Sequence, residues 1–396
     1  MGKYSCVAGV GDTQTEAFAE ICEDRIQLSG GVNTAVLYAD ISDMRLLNYN
    51  LILTLSDSDT THEIFERAPG SESVSKENTE EHGLKPVSDE NVANTVELSK
   101  LGYETENFFE NLWMAYAKKS TDALFVTETP AIATEGDYFF EEETDKTDHS
   151  PVDTGTEGGA LPGYTAVSKK GIAKLALYND CVCLIPHNIC GRRIPLCFAT
   201  EPEREGFAVS LSLDTGEKYG FSRLGFNTDP FFERLIKFRD ETVKKWTAAH
   251  ERLESDLENR IGNKAATPKA FRETGACVVS GLFAPDDEEN FWVAAINNGH
   301  AAVELVTDED TAVYIYTFDI PDDVFILRLR HAMEAVKKNR RLIYITDDAL
   351  KAEPLYRMAA DRSPHVQFLR GCCEGRIVHT GGWEDRVKEF LTTDNN

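Results

Sequence analysis

Two tracts of this chain repeat each other, and a duplicated unit constrains architecture before any residue is assigned chemistry. Val96–Leu112 and Tyr219–Leu235 share Ser99/Ser222, Leu101/Leu224, Gly102/Gly225, Thr105/Thr228, Phe108/Phe231, Phe109/Phe232, Glu110/Glu233 and Leu112/Leu235. The preceding segments also align. Ile21–Asp24 lines up with Leu177–Asp180, Arg25–Leu28 with Cys181–Leu184, and Leu51–Ser56 with Val209–Leu213.

The second copy is the cleaner one. Alternating apolar residues over Gly171–Tyr178, Cys181–Ile185, Arg193–Ala199, Phe207–Leu213 and Lys218–Ser222 predict strands, joined by polar turns at Asn179-Asp180 and Asp214–Gly216. Thr228, an acidic first turn and Pro230 then predict a helix to about Arg260. In the repeated block the glycines supply unusual torsion angles, the threonines cap, and one phenylalanine of each pair faces the core.

At 396 residues the chain is long enough for two to four domains. The reading is a first repeat over 1–140, with a mobile insert at about 68–93 that has scarcely any apolar residues. An acidic, Gly/Pro-rich linker follows over 141–163, although Ala131–Glu141 also reads as a strand that could join the first domain. The second repeat covers 164–262, with its long helix at about 229–260, and a C-terminal α/β-type unit covers 268–396. In that unit Arg341–Thr346, Val366–Leu369 and Arg376–His379 read as strands between helices, and its earlier element order suggests a divergent third repeat. The fold class is therefore α+β.

Antiparallel strands closed by one amphipathic helix, over Gly171–Ser222 and after Thr228 and again before Val96 and after Thr105, resemble the pleckstrin-homology-like (PH-like) superfold. The block Leu-Gly-Tyr/Phe-x-Thr-x-x-Phe-Phe is similar to that of bacterial proteins that join such strands to a helix. This resemblance, one of element order, covers about two-thirds of the chain by the repeat argument. It implies two tandem PH-like units, and a platform for peptides, proteins or lipids in place of a catalyst. Lipid-binding members use a basic loop between the first strands, and Arg192-Arg193 is the sole candidate for one here.

Charge narrows the partners. Sixty-eight acidic residues face 41 basic ones, a net charge of −27. Nucleic acid and anionic membranes both recruit Lys and Arg, so both are disfavoured, and a protein or peptide partner with basic character is favoured. No apolar run approaches the ~18–20 residues of a membrane span, and the N-terminus lacks a secretory pattern. The nine cysteines mostly lie in apolar stretches, which suits reduced thiols in a cytosolic protein.

Four groups are candidates for function. His187, Arg192 and Arg193 on one loop could take a phosphate or carboxylate. The vicinal Cys372-Cys373, with Arg370 and Arg376 nearby, could form a reactive thiol pair, and with Asp322 and Arg370 would mark a ligand or enzyme site in the C-terminal unit. Val243, Trp246, Leu253 and Leu257 form a seam on the long helix that either packs on the third unit or reaches a partner, including a second copy. Cys181, Cys183, His187 and Cys190 include zinc-ligand types, but Cys181 and Cys183 share one strand face and no second cysteine pair stands at zinc-ribbon spacing. No cofactor or metal is expected. The expected function is a noncatalytic scaffold or adaptor.

Overall fold

The computed structural model describes residues 2–10, 13–56, 95–145, 164–261, 271–287, 289–306 and 312–393. The insert at 68–93, and the expectation that it is mobile, lie outside the described residues. The chain divides into two units. Unit 1 comprises Met1–Ala123, Ile185–Gly191 and Glu353–Met358; unit 2 comprises Leu124–Leu184, Arg192–Ala352 and Ala359–Asn396.

Unit 1 holds a seven-stranded sheet: β1 (Lys3–Val10), β2 (Thr13–Ile21), β3 (Arg25–Gly30), β4 (Thr34–Leu37), β5 (Ile41–Leu47), β6 (Asn50–Leu55) and β7 (Thr95–Ser99). The spatial order is β4-β3-β2-β1-β7-β6-β5. Alternation puts Ile26, Leu28, Leu51, Leu53, Val96 and Leu98 in the core. Helix α1 (Thr105–Ala123) also contributes, burying Phe108, Leu112, Trp113 and Tyr116.

Unit 2 repeats this plan with β8 (Ile132–Asp145), β9 (Tyr164–Leu177), β10 (Cys181–Pro186), β11 (Arg192–Pro195), β12 (Glu203–Glu205), β13 (Ala208–Ser212) and β14 (Lys218–Ser222). Their order, β11-β10-β9-β8-β14-β13-β12, is that of the first sheet strand for strand. Helix α2 (Thr228–Ile261) follows β14 as α1 follows β7.

The repeated block is nearly superimposable in its torsion angles. Lys100 and Arg223 both have φ 57°, and Gly102 and Gly225 have φ 65° and 60°. Each pair leads into a single 3-10 turn. The hydroxyls of Thr105 and Thr228 each donate to the carbonyl of that glycine at 2.9 Å. The threonines thus tie the turn to the first helical residue by donating, where capping would have them accept.

Two boundaries differ from the sequence reading. The strand at Ile132–Asp145 pairs with β9 and β14 in the second sheet, not with the first domain. The acidic stretch Glu141–Asp145 continues β8 and pairs with Tyr164–Ser168, so the 141–163 segment joins two strands of one repeat. Residues 146–163 lie outside the described residues. Tyr138 and Phe140 alternate inward and carry the strand through the charged run.

The remainder of unit 2 is an antiparallel sheet of β15 (Cys277–Leu282), β16 (Phe291–Asn297), β17 (His300–Val306), β18 (Ala312–Thr317) and β19 (Cys373–Val378), in that spatial order. Asn298 and Gly299, with φ 48° and 82°, make the tight β16–β17 turn. This antiparallel sheet, with five helices among the described residues between β18 and β19, shares neither the strand order of the two repeats nor a parallel α/β arrangement. Its helices are α3 (Asp322–Val336), α4 (Arg341–Tyr344), α5 (Asp347–Lys351), α6 (Pro354–Asp361), α7 (Pro364–Cys372) and α8 (Trp383–Leu391), with part of α6 assigned to unit 1. Two expected strands are therefore helical: Arg341–Tyr344 forms α4 and Val366–Leu369 lies in α7. Such short apolar runs do not distinguish the two states.

The long helix serves both sheets of unit 2. Phe231 packs edge-on to Phe221 at 5.8 Å. Further along, Ala249, Leu253 and Ile261 form a core with Leu282, Phe291, Val293 and Val306, with Trp246 and Leu257 at its margin. Leu253 is buried and Val243 half-buried, so the predicted seam is used within the chain. Among the described residues no helix is long and apolar enough to cross a membrane.

Candidate functional site

Two hairpin turns of the second repeat end in carboxylates that the C-terminal helices of unit 2 neutralise. At the β9–β10 turn, Asp180 accepts from Arg193 at 3.0 Å and from Lys337 at 2.6 Å. Arg193 also donates to Glu334 on α3, and both side chains of that pair are buried. Burial alone would raise the Asp180 carboxyl, but the charges of Arg193 and Lys337 outweigh it and hold the group well below the usual carboxylate range. At the β13–β14 turn, Asp214 lies 2.5 Å from His331 Nε2, and Glu217 lies 3.4 Å from His365 Nε2. The two imidazoles are 4.7 Å apart. Burial pushes His331 down, against the pull of Asp214. Burial would raise Glu217, yet His365 above all, then His331 and Arg192, bring it down to about 2. The result is an ionic layer, buried at Arg193, Glu334, His331 and Glu217 and open to solvent at Asp180 and Asp214, that fixes the second repeat to the helices behind it.

That layer decides the fate of the expected anion site. Arg193 is consumed by Asp180 and Glu334. The Arg192 guanidinium lies 5.4 Å from the centroid of the Phe140 ring. His187 belongs to unit 1, where its ring meets Trp113 at 4.0 Å and Phe109 at 5.0 Å, both edge-on. The three residues are assigned to different units, and each has structural contacts of its own.

The C-terminal candidates are likewise engaged. Asp322 accepts from the Gly299 amide at 3.2 Å, bracing the β16–β17 turn. Arg370 donates to the carbonyls of Leu342 and Ile345 and to Asp347, at 2.6–2.9 Å. Burial pushes the Cys373 thiol up, more than Gly375 and Arg370 lower it, which is the opposite of thiolate activation. Cys372 ends α7 and is partly buried. Burial also pushes Cys181 well up. Among the described residues no group of three or more His, Cys, Asp or Glu could hold a metal ion.

Among the described residues the outer face of the second sheet remains open. A groove of about 600 Å³ crosses β8, β9, β13 and β14 there. Phe139 (39% exposed) and Ile172 (44%) offer it apolar surface, and Phe207 (77%) stands in the adjoining β12–β13 turn. A small residue keeps the groove open, Gly220 opposite Phe139, while on the inner face Gly171 sits opposite the buried Tyr138. A Cβ at Gly171 would come within 3.2 Å of the Tyr138 ring. Asp137 and Glu205 bring negative charge to it and Lys170 one positive charge. The inward strand residues were legible from alternation; this outward apolar pair was not, because exposed Phe and Ile carry the same strand pattern. The repeated block adds a matched feature. Tyr103 and Phe226, which follow the equivalent glycines, are both fully exposed.

Fold and face together define an α+β protein built from a duplicated seven-stranded sheet-and-helix module, with one partly apolar sheet face uncovered among the described residues. In comparisons with known proteins, no family model matches the chain and no curated protein matches it significantly.

Proposed function

We propose that the protein is a noncatalytic scaffold whose two modules are PH-like, and that the second module holds a basic protein or peptide segment on its open sheet face. The observation that carries this reading is the groove flanked by Phe139 and Ile172 on a chain of net charge −27. Half-exposed aromatic and aliphatic side chains grouped on one face favour association, since isolated ones are ordinary surface. The chain's overall negative charge favours Lys and Arg in the partner. Seven antiparallel strands closed by a C-terminal helix, occurring twice in the same order, support the PH-like description.

The test is binding of fluorescent peptides in which Leu or Phe alternates with Lys, compared with the same peptides carrying Glu. The basic series binds, weakens with added salt, and is lost in Phe139→Asp. Equal binding of both series, or unchanged binding by Phe139→Asp, sinks the reading.

A further inference from the structure

Unit 2 contains a second cavity, about 160 Å³, distinct from the open sheet face. Its floor is a cross-strand pair on β15 and β16, Gly281 opposite Trp292. A Cβ at Gly281 would lie 2.3 Å from Trp292 Cζ2, so only glycine lets the indole lie against the strand here. Trp246 from α2 and Phe198 supply two further rings, 5.8 Å apart and inclined at 50°. The polar lining comes chiefly from His250 and Arg330.

Those two cations differ. His250 Nε2 lies 3.1 Å from Glu254, one turn along the same helix. Arg330, half-buried on α3, has no hydrogen bond or ion pair with any of the described residues. Arg328, half-buried on the same helix, also has no carboxylate among the described residues but lies over the Phe368 ring at 4.5 Å, whereas Arg330 lines the cavity. Arg193, Arg340 and Arg370 in the same unit all have a carboxylate partner.

An apolar cavity of roughly 150 Å³ has the capacity for one benzene-sized ring. Aromatic walls favour a flat ring by offset or edge contacts. A guanidinium fork matches a planar carboxylate better than a spherical anion, and the match strengthens as water is excluded. We propose that this cavity binds a small single-ring aromatic carboxylate, with the ring against Trp246 and Phe198 and the carboxylate on Arg330.

The probe is benzoate, with benzamide as its uncharged counterpart, titrated into the full chain labelled with 5-fluorotryptophan. The chain has four tryptophans, Trp113, Trp246, Trp292 and Trp383. Saturable shifts of the Trp246 and Trp292 fluorine signals are expected, with Trp113 and Trp383 unmoved; single Trp→Phe variants assign the four signals. Benzamide binds about tenfold more weakly or worse, as does benzoate to Arg330→Met, while Arg328→Met binds as the parent does. The fluorine experiment on the parent chain stands even where a variant fails to fold. Shifts that never saturate, shifts spread over all four tryptophans, or equal affinity for benzoate and benzamide would overturn the proposal. Loss of benzoate binding leaves the peptide reading intact, because Phe139 and Ile172 are not part of this cavity.

Discussion

Arg193 donates to Glu334 across 141 residues of sequence, joining a strand of the second repeat to a helix of the C-terminal region through a buried ion pair. Asp180 takes the other end of the same guanidinium, so two carboxylates share one arginine, with Lys337 as the second cation.

Removing one partner of such a pair leaves a buried charge unmatched, whereas replacing both does not. Arg193→Leu is expected to destabilise unit 2 by about 3–5 kcal/mol. Arg193→Leu combined with Glu334→Leu should recover most of that loss, measured against each single variant. Urea unfolding of the single and double variants measures it; additive losses would show that the pair does not act as a unit.

Acid should loosen the layer in two stages. His331 has a folded-state affinity for protons below that of the unfolded chain, because burial disfavours its charged form. Below pH 6.5 the unfolded chain takes up a proton that the folded one refuses, so stability falls as pH falls, by about 1.4 kcal/mol per unit for one full proton. Glu217 adds a second loss, from its unfolded value of 4.5 towards about 2. Unfolding midpoints measured from pH 8 to 5 should decline, and His331→Gln should flatten that decline.

The two repeats make matched predictions at their turns. Nothing lies within 4 Å of a Cβ built on Gly102 or Gly225, so alanine there costs only backbone strain from the positive φ. Each substitution is expected to cost about 1–2 kcal/mol. Unequal costs, beyond experimental error in denaturant midpoints, would mean that the turns are not equivalent.

Gly281→Ala poses the opposite problem: a clash with the Trp292 ring at a residue whose φ is not left-handed. The expected loss is about 1–3 kcal/mol, the usual cost of overpacking. Trp292→Leu in the same chain should restore part of it, which thermal unfolding would reveal.

Much of the fold was legible in the residues. The shared Leu-Gly-Tyr/Phe-x-Thr block announced two like modules, and local alternation located most strands. What misled was composition applied to boundaries. Glu141–Asp145 is acidic enough to read as linker, yet the ladder begun by Tyr138 and Phe140 carries it onward as strand. Arg341–Thr346 reads as a strand, yet Arg341–Tyr344 is helical and Arg370 ties the carbonyls of Leu342 and Ile345. The ionic layer was out of reach for a different reason. Asp180, Arg193 and Asp214 were visible as turn and strand residues, but their partners Lys337, Glu334 and His331 come from over a hundred positions downstream.

Unit 1 is assembled from three separated pieces of chain, and the last of them ends at Met358. His187 of the second piece covers Trp113, and Arg357 of the third neutralises the buried Asp40. Modules made in tandem ordinarily mature in the order they leave the ribosome. Here the N-terminal one must wait for nearly the whole polypeptide, so a shortened product that stops after α1 would emerge with an unguarded acid and an uncovered indole.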